Sequence, residues 1–162
     1  MRDVTEMVRR RAWRDSRHPE VFERLPTMLT LEELQMLSFL TENLDAEGVV
    51  LDLGCFVGGS TFALAHGVGR SAARSRHIHS FDLFELNEPM KYRYFYERGL
   101  PFFPRANGLD LYQIITNSFA SNVTAHAGNI LMTLTPEWVA SRSFAMVFLD
   151  LCKSPEITDH IT

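Results

Sequence analysis

Residues 49–61 read VVLDLGCFVGGST. Val49 to Leu53 is a short run of β-branched and aliphatic residues, the composition of a buried strand. Glycines follow at 54, 58 and 59, and the next stretch, STFALAHGV, reads as a helix. Strand, glycine turn and helix in that order open a Rossmann-like parallel sheet, whose ligand sits beyond the carboxyl ends of the strands. Glycine is needed where the backbone takes positive φ or approaches a ligand closely, so Gly54 and Gly58 are the expected contact points and Gly59 opens the helix. Ser60 and Thr61 are placed to cap that helix or to donate to the ligand.

Upstream, TLEELQMLSFLTENL is an amphipathic helix: Thr30 is its N-cap, Glu33 closes a capping box, and Leu31, Leu34, Leu37, Leu40 and Leu44 form one stripe. Residues 1–28 are polar and arginine-rich and read as an N-terminal arm or helix, with Arg9, Arg10 and Arg11 on a solvated face. The domain proper is expected over residues 29–162. Downstream, strands are expected at 77–81 ending on Asp82, at 123–126 ending on Gly128 and Asn129, and at 144–149 ending on Asp150. Helices are expected at 62–73, 109–119 and 136–140 between them. The alternation predicts an α/β fold with a parallel sheet and flanking helices. Residues 85–105, ELNEPMKYRYFYERGLPFFPR, break it with six aromatics and three prolines, and read as an insertion serving as lid or substrate wall.

A chain of 162 residues, 46% hydrophobic, fits one domain. Its net charge of -4 supplies no basic surplus to follow a nucleic-acid backbone. Two cysteines, Cys55 and Cys152, are too few for a disulfide framework and point to reduced thiols in the cytoplasm. The opening MRDVTEMVRRRAWRD lacks the apolar core of a secretion signal, and the most apolar stretch, 49–68, carries Asp52 and four glycines, which excludes a membrane span. The six histidines are dispersed, with no zinc spacing, and neither a G-x-S-x-G elbow nor a P-loop occurs.

The turn is G-x-x-x-G-G, not the G-x-G-x-x-G of dinucleotide sites, and Phe56 stands where the middle glycine would admit a pyrophosphate. A nicotinamide or flavin cofactor is disfavoured on that ground. The run from Asp52 to Thr61 resembles motif I of class I S-adenosylmethionine-dependent methyltransferases, in the form found in macrocin-type and other sugar O-methyltransferases. Three further positions follow the same pattern: Asp82 where those enzymes carry an acid for the ribose hydroxyls, Gly128-Asn129 beside the adenine, and Asp150 where a catalytic or metal-binding acid stands.

The resemblance implies S-adenosylmethionine as cofactor, held by Asp52, Gly54, Cys55, Phe56, Gly58, Ser60, Thr61, Asp82 and Asn129, and a small-molecule hydroxyl as acceptor. Asp150 is the expected base, ahead of His126 and His160. A divalent metal is compatible with the chemistry but unsupported, because Asp150-Leu151-Cys152-Lys153 departs from Asp-x-Asp. Strands one and four are neighbours in that superfamily, which would bring Cys55 near Cys152. Its sheet has seven strands, whereas this chain ends soon after the fourth, so the C-terminal strands are expected to be missing. On that reading the isolated chain binds the cofactor weakly or not at all and turns over no acceptor. The alternative is a non-catalytic Rossmann-like nucleoside-binding module or an inactive fragment.

Overall fold

A computed structural model describes residues 4–151. Four parallel strands, β1 (Val49–Leu53), β2 (Ile78–Asp82), β3 (Val123–Ala127) and β4 (Phe144–Leu149), form one sheet in the order β3-β2-β1-β4. Chain order runs outward from β1 through β2 to β3, then returns to the other side of β1 for β4. The topological switch point, where an open sheet leaves a crevice, therefore lies between β1 and β4.

Alternation along the strands divides the core in two. Val50 and Ile78 face helices α2 (Leu31–Glu42) and α3 (Gly59–Arg70), with Leu34, Leu37, Ala63, Leu64 and Val68 buried against them. Leu51, Leu53 and Phe81 face the other way, onto the short helices α6 (Ile130–Thr133) and α7 (Pro136–Ala140), through Ile130, Leu134 and Trp138. The α2 capping box forms as the sequence requires: the Glu33 amide donates to Thr30 Oγ1 at 3.3 Å and the Thr30 amide to Glu33 Oε2 at 2.6 Å. Where α2 crosses α3, a Cβ on Gly67 would collide with the Ser38 carbonyl and the Thr41 hydroxyl, and Thr41 Oγ1 donates across to Leu64 O at 3.0 Å.

Two helices differ from their expected ranges. Helix α3 begins at Gly59, the residue expected to open it and ahead of the 62–73 span given by the apolar pattern, because Gly58 at φ 98° turns the chain directly into it, and it stops at Arg70. Helix α5 (Leu109–Thr116) passes into a 3-10 turn over Asn117–Phe119. Within residues 85–105 a short helix, α4 (Glu88–Tyr94), is capped by Asn87. The segment is closed at its neck by an antiparallel bridge between Glu85 and Asn107.

Residues 4–28 pack on α2 and α3. Helix α1 (Val4–Arg9) leads to Trp13, whose indole N–H donates to Glu32 Oε1 at 3.3 Å beside a two-pronged Arg14–Glu32 pair at 2.7 and 2.9 Å. Phe22 is buried edge-on against Phe62 and His66. No helix among the described residues is long and apolar enough to cross a membrane.

Candidate functional site

At the switch point the end of β1, the glycine turn, the end of β2 and the residues after β4 enclose a cleft of about 480 Å³, open to solvent. Six residues singled out from the sequence line it: Gly54, Cys55, Phe56, Ser60, Asp82 and Asp150. Its remaining walls are Thr27, Met28 and Leu29 from the N-terminal segment, Met90 from α4, and Leu151. Met90 belongs to the segment expected as lid or substrate wall, though it was not itself singled out, and sequence reasoning missed the other four. The only signal for the first three was the apolar turn of LPTML after an arginine-rich stretch.

Asp82 anchors the turn. Its Oδ2 accepts the Phe56 amide at 2.8 Å and its Oδ1 the Phe84 amide at 2.8 Å, and both donors sit in left-handed backbone, at φ 53° and 56°. A non-glycine residue in that region costs on the order of 1 kcal/mol, so the turn has kept the conformation of a glycine at position 56 while carrying a phenylalanine. The ring is 8% exposed and packs edge-on to Tyr94 at 5.7 Å and tilted on Phe95 at 5.9 Å. Asp150 stands exposed on the opposite rim, its amide donating to Leu53 O at 2.8 Å.

Asp52, Gly58, Thr61 and Asn129 do not line the cleft. Asp52 is fully buried beneath the turn, with Oδ2 accepting from Ser60 Oγ at 2.8 Å and from Thr61 Oγ1 at 2.5 Å. Since the Thr61 proton goes to Asp52, Ser80 must donate in the 2.9 Å contact between the two hydroxyls. Tyr112 Oη lies buried beside Ser80 and Thr61 without a hydrogen bond of ordinary geometry, and Asp52 Oδ1 also has no partner. Burial pushes the Asp52 carboxyl up to about 7, against the pull of Thr61 and Ser60 and with the charges of Asp82 and Asp150 adding to it. Burial likewise raises the Cys55 thiol, with Asp52 and Asp82 contributing, so Cys55 presents a neutral S–H to the cleft.

The glycines owe their identity mainly to protein neighbours. A Cβ on Gly54 would sit 2.9 Å from the Asp150 carbonyl oxygen, one on Gly58 2.9 Å from the Tyr112 ring, and one on Gly59 2.6 Å from Thr27 Cβ. Gly58 therefore fits α5 rather than facing the cleft, and its φ of 98° independently requires glycine. Asn129 caps α6, its side chain accepting the Leu131 amide at 3.0 Å, just past the carboxyl end of β3, where the Gly128 amide donates to Asp82 O at 2.9 Å.

The strand histidines meet on the α7 face. His79 Nδ1 and His126 Nε2 are 3.0 Å apart, His126 stacks on Phe81 at 4.3 Å, and Trp138 covers both imidazoles. Burial first, then the neighbouring histidines and Arg142, lowers His79 to about 4. His126 is thus part of a neutral structural cluster. Among the described residues no group of three or more His, Cys, Asp or Glu could hold a metal ion. Cys152, Lys153 and His160 lie outside the described residues, and with them the expected approach of Cys152 to Cys55.

No protein-family model matches the chain, and no curated protein does. Among solved structures, the calicheamicin methyltransferase CalS11 superposes with a TM-score of 0.52 at 19% identity, covering 91% of this chain and 66% of that one. A SAH-bound Podospora anserina methyltransferase, PaMTH1, gives a TM-score of 0.44 at 15% identity over 79% of this chain and 43% of its own. The fold class is accordingly the expected one, an α/β Rossmann-like parallel sheet with flanking helices, shared with CalS11. This chain spans less than two thirds of the length of either structure.

Proposed function

We propose that the chain is the cofactor-binding half of an S-adenosylmethionine-dependent methyltransferase acting on a small-molecule hydroxyl. The observation that carries the reading is the charge of the cleft. Among the described residues two carboxylates, Asp82 and Asp150, line it and no Arg, Lys or His does. A pyrophosphate would meet like charge at those acids, whereas a ligand with a ribose and a positive sulfonium and ammonium suits them. The CalS11 fold and the motif I pattern agree with this choice.

On this reading Asp82 holds the ribose hydroxyls while its carboxylate anchors the Phe56 and Phe84 amides. Gly54 and Cys55 floor the cleft, and Met28, Leu29 and Met90 keep water from it. When bound, S-adenosylmethionine supplies an electrophilic methyl whose transfer depends chiefly on alignment. Asp150 takes the acceptor's hydroxyl proton. Binding by this chain is weak but saturable, because the described cleft walls come from residues 27–151 while β4 has no further strand beside it among the described residues.

Calorimetric titration of wild type and Asp82→Ala with S-adenosylhomocysteine tests this. The substitution is expected to weaken binding about 10- to 100-fold, the worth of charge-assisted hydrogen bonds. Equal affinity in the two proteins would remove Asp82 from the site.

A further inference from the structure

The turn and the insertion are joined more closely than a shared cleft requires. The Phe56 ring seats on Tyr94 and Phe95 of the insertion. At the insertion's neck, Val57 Cγ1 comes within 2.9 Å of where a Cβ on Gly108 would stand, and the Tyr112 ring within 2.9 Å of where a Cβ on Gly58 would stand. Leu86 donates its amide to Ala106 O, and Gly108 to Phe84 O, both at 2.7 Å. Residues 56, 57 and 58 thus each bear on the segment that follows β2. Asp82 reaches two of these contacts, holding the Phe56 amide with Oδ2 and the Phe84 amide with Oδ1, and of the two residues it is Phe56 that itself lines the cleft.

We infer that Phe56 is a positioning residue coupling occupancy of the cleft at Asp82 to the order of residues 85–107, so that bound cofactor sets the acceptor wall. The inference rests on the cofactor reading above. The coupling has a defined physical source. Left-handed backbone at Phe56 is strained, and its retention depends on the amide bond to Asp82 and on the rings it packs against. A ligand can shift an equilibrium only through interactions that differ between its states. Hydroxyl groups fixing the Asp82 carboxylate hold the Phe56 amide in its strained turn, and the turn holds the ring that seats Tyr94 and Phe95. A glycine here would adopt the same φ at no cost and transmit nothing to the insertion.

Hydrogen exchange read by mass spectrometry on the full chain, with and without saturating S-adenosylhomocysteine, tests the coupling. Amides across residues 88–106 are expected to slow about fivefold or more in wild type, at least the lower end of ordinary coupling between sites. In Tyr94→Ala, which leaves the turn untouched, calorimetric binding persists and the slowing disappears. In Phe56→Gly, which keeps the turn's conformation but removes a ring lining the cleft, binding weakens and the slowing is absent even at ligand concentrations that saturate the variant. Phe56→Leu restores part of it. Absence of saturable binding by wild type overturns the cofactor reading and the coupling with it. Saturable binding with unchanged exchange over 88–106 overturns the coupling alone, as does slowing that survives in both Phe56→Gly and Tyr94→Ala.

Discussion

Asp52 and His79 respond to pH in opposite directions, and both effects follow from burial. Asp52 titrates at about 7 in the fold against 3.8 as a free carboxyl. Across that window the folded chain keeps a proton that the unfolded chain has released, so stability falls as pH rises and is level above it. His79 is lowered to about 4 from 6.5, so it takes stability away as pH falls through that range. Asp52→Asn keeps an oxygen for Ser60 and Thr61 and removes the first effect. It is expected to raise stability at pH 8 by about 1–3 kcal/mol, with little gain at pH 4, read from urea midpoints at the two values. An equal loss at both would show that Asp52 stabilises the fold as a carboxylate. Position and residue type made Asp82 and Phe56 stand out in the sequence, because each sits at a fixed offset from a strand end. The burial of Asp52 was not legible, since it depends on Ser60, Thr61 and Ser80 turning inward, which only the packing of α3 on the sheet decides.

Elements with a strong period were legible and those ruled by contact were not. Strands β1 and β4 and the helices α2 and α7 lie where their patterns put them, since each carries its own punctuation: a capping box at Thr30, and a Thr135-Pro136 start for α7. Helix α3 was half legible: the sequence marks Gly59 as opening it while the apolar pattern puts its body at 62–73, and the packing that fixes Gly58 and Gly59 appears only with Tyr112 and Thr27 against them. Gly67 is the sharper case. In a helix interior, glycine costs about 1 kcal/mol against alanine, so sequence reasoning would favour Gly67→Ala. The crossing of α2 and α3 reverses the sign, since the added methyl meets the Ser38 backbone. Gly67→Ala is expected to lower stability by about 3 kcal/mol or more in urea unfolding. A rise in the midpoint would mean that α2 moves aside at little cost.

For the whole molecule, strand alternation predicted a parallel sheet, but the order β3-β2-β1-β4, which creates the cleft, rests on long-range packing that no local pattern encodes. The same holds for residues 4–28, whose sparse apolar residues gave no period, yet Trp13, Phe22 and Leu25 are buried and Thr27 and Met28 wall the cleft. Phe22→Ala is expected to cost about 3–5 kcal/mol, a core-sized penalty. A cost near that of a surface change, within about 0.5 kcal/mol, would mean that this segment contributes nothing to the core. The central claim, a cleft whose acids select a cationic nucleoside over a phosphate-bearing one, is tested most directly by titrating the full chain with S-adenosylmethionine, S-adenosylhomocysteine and NADH under one set of conditions. Saturable binding of the first two and none of NADH is the predicted result. Preferential binding of NADH, or saturable binding of none of the three, would contradict it.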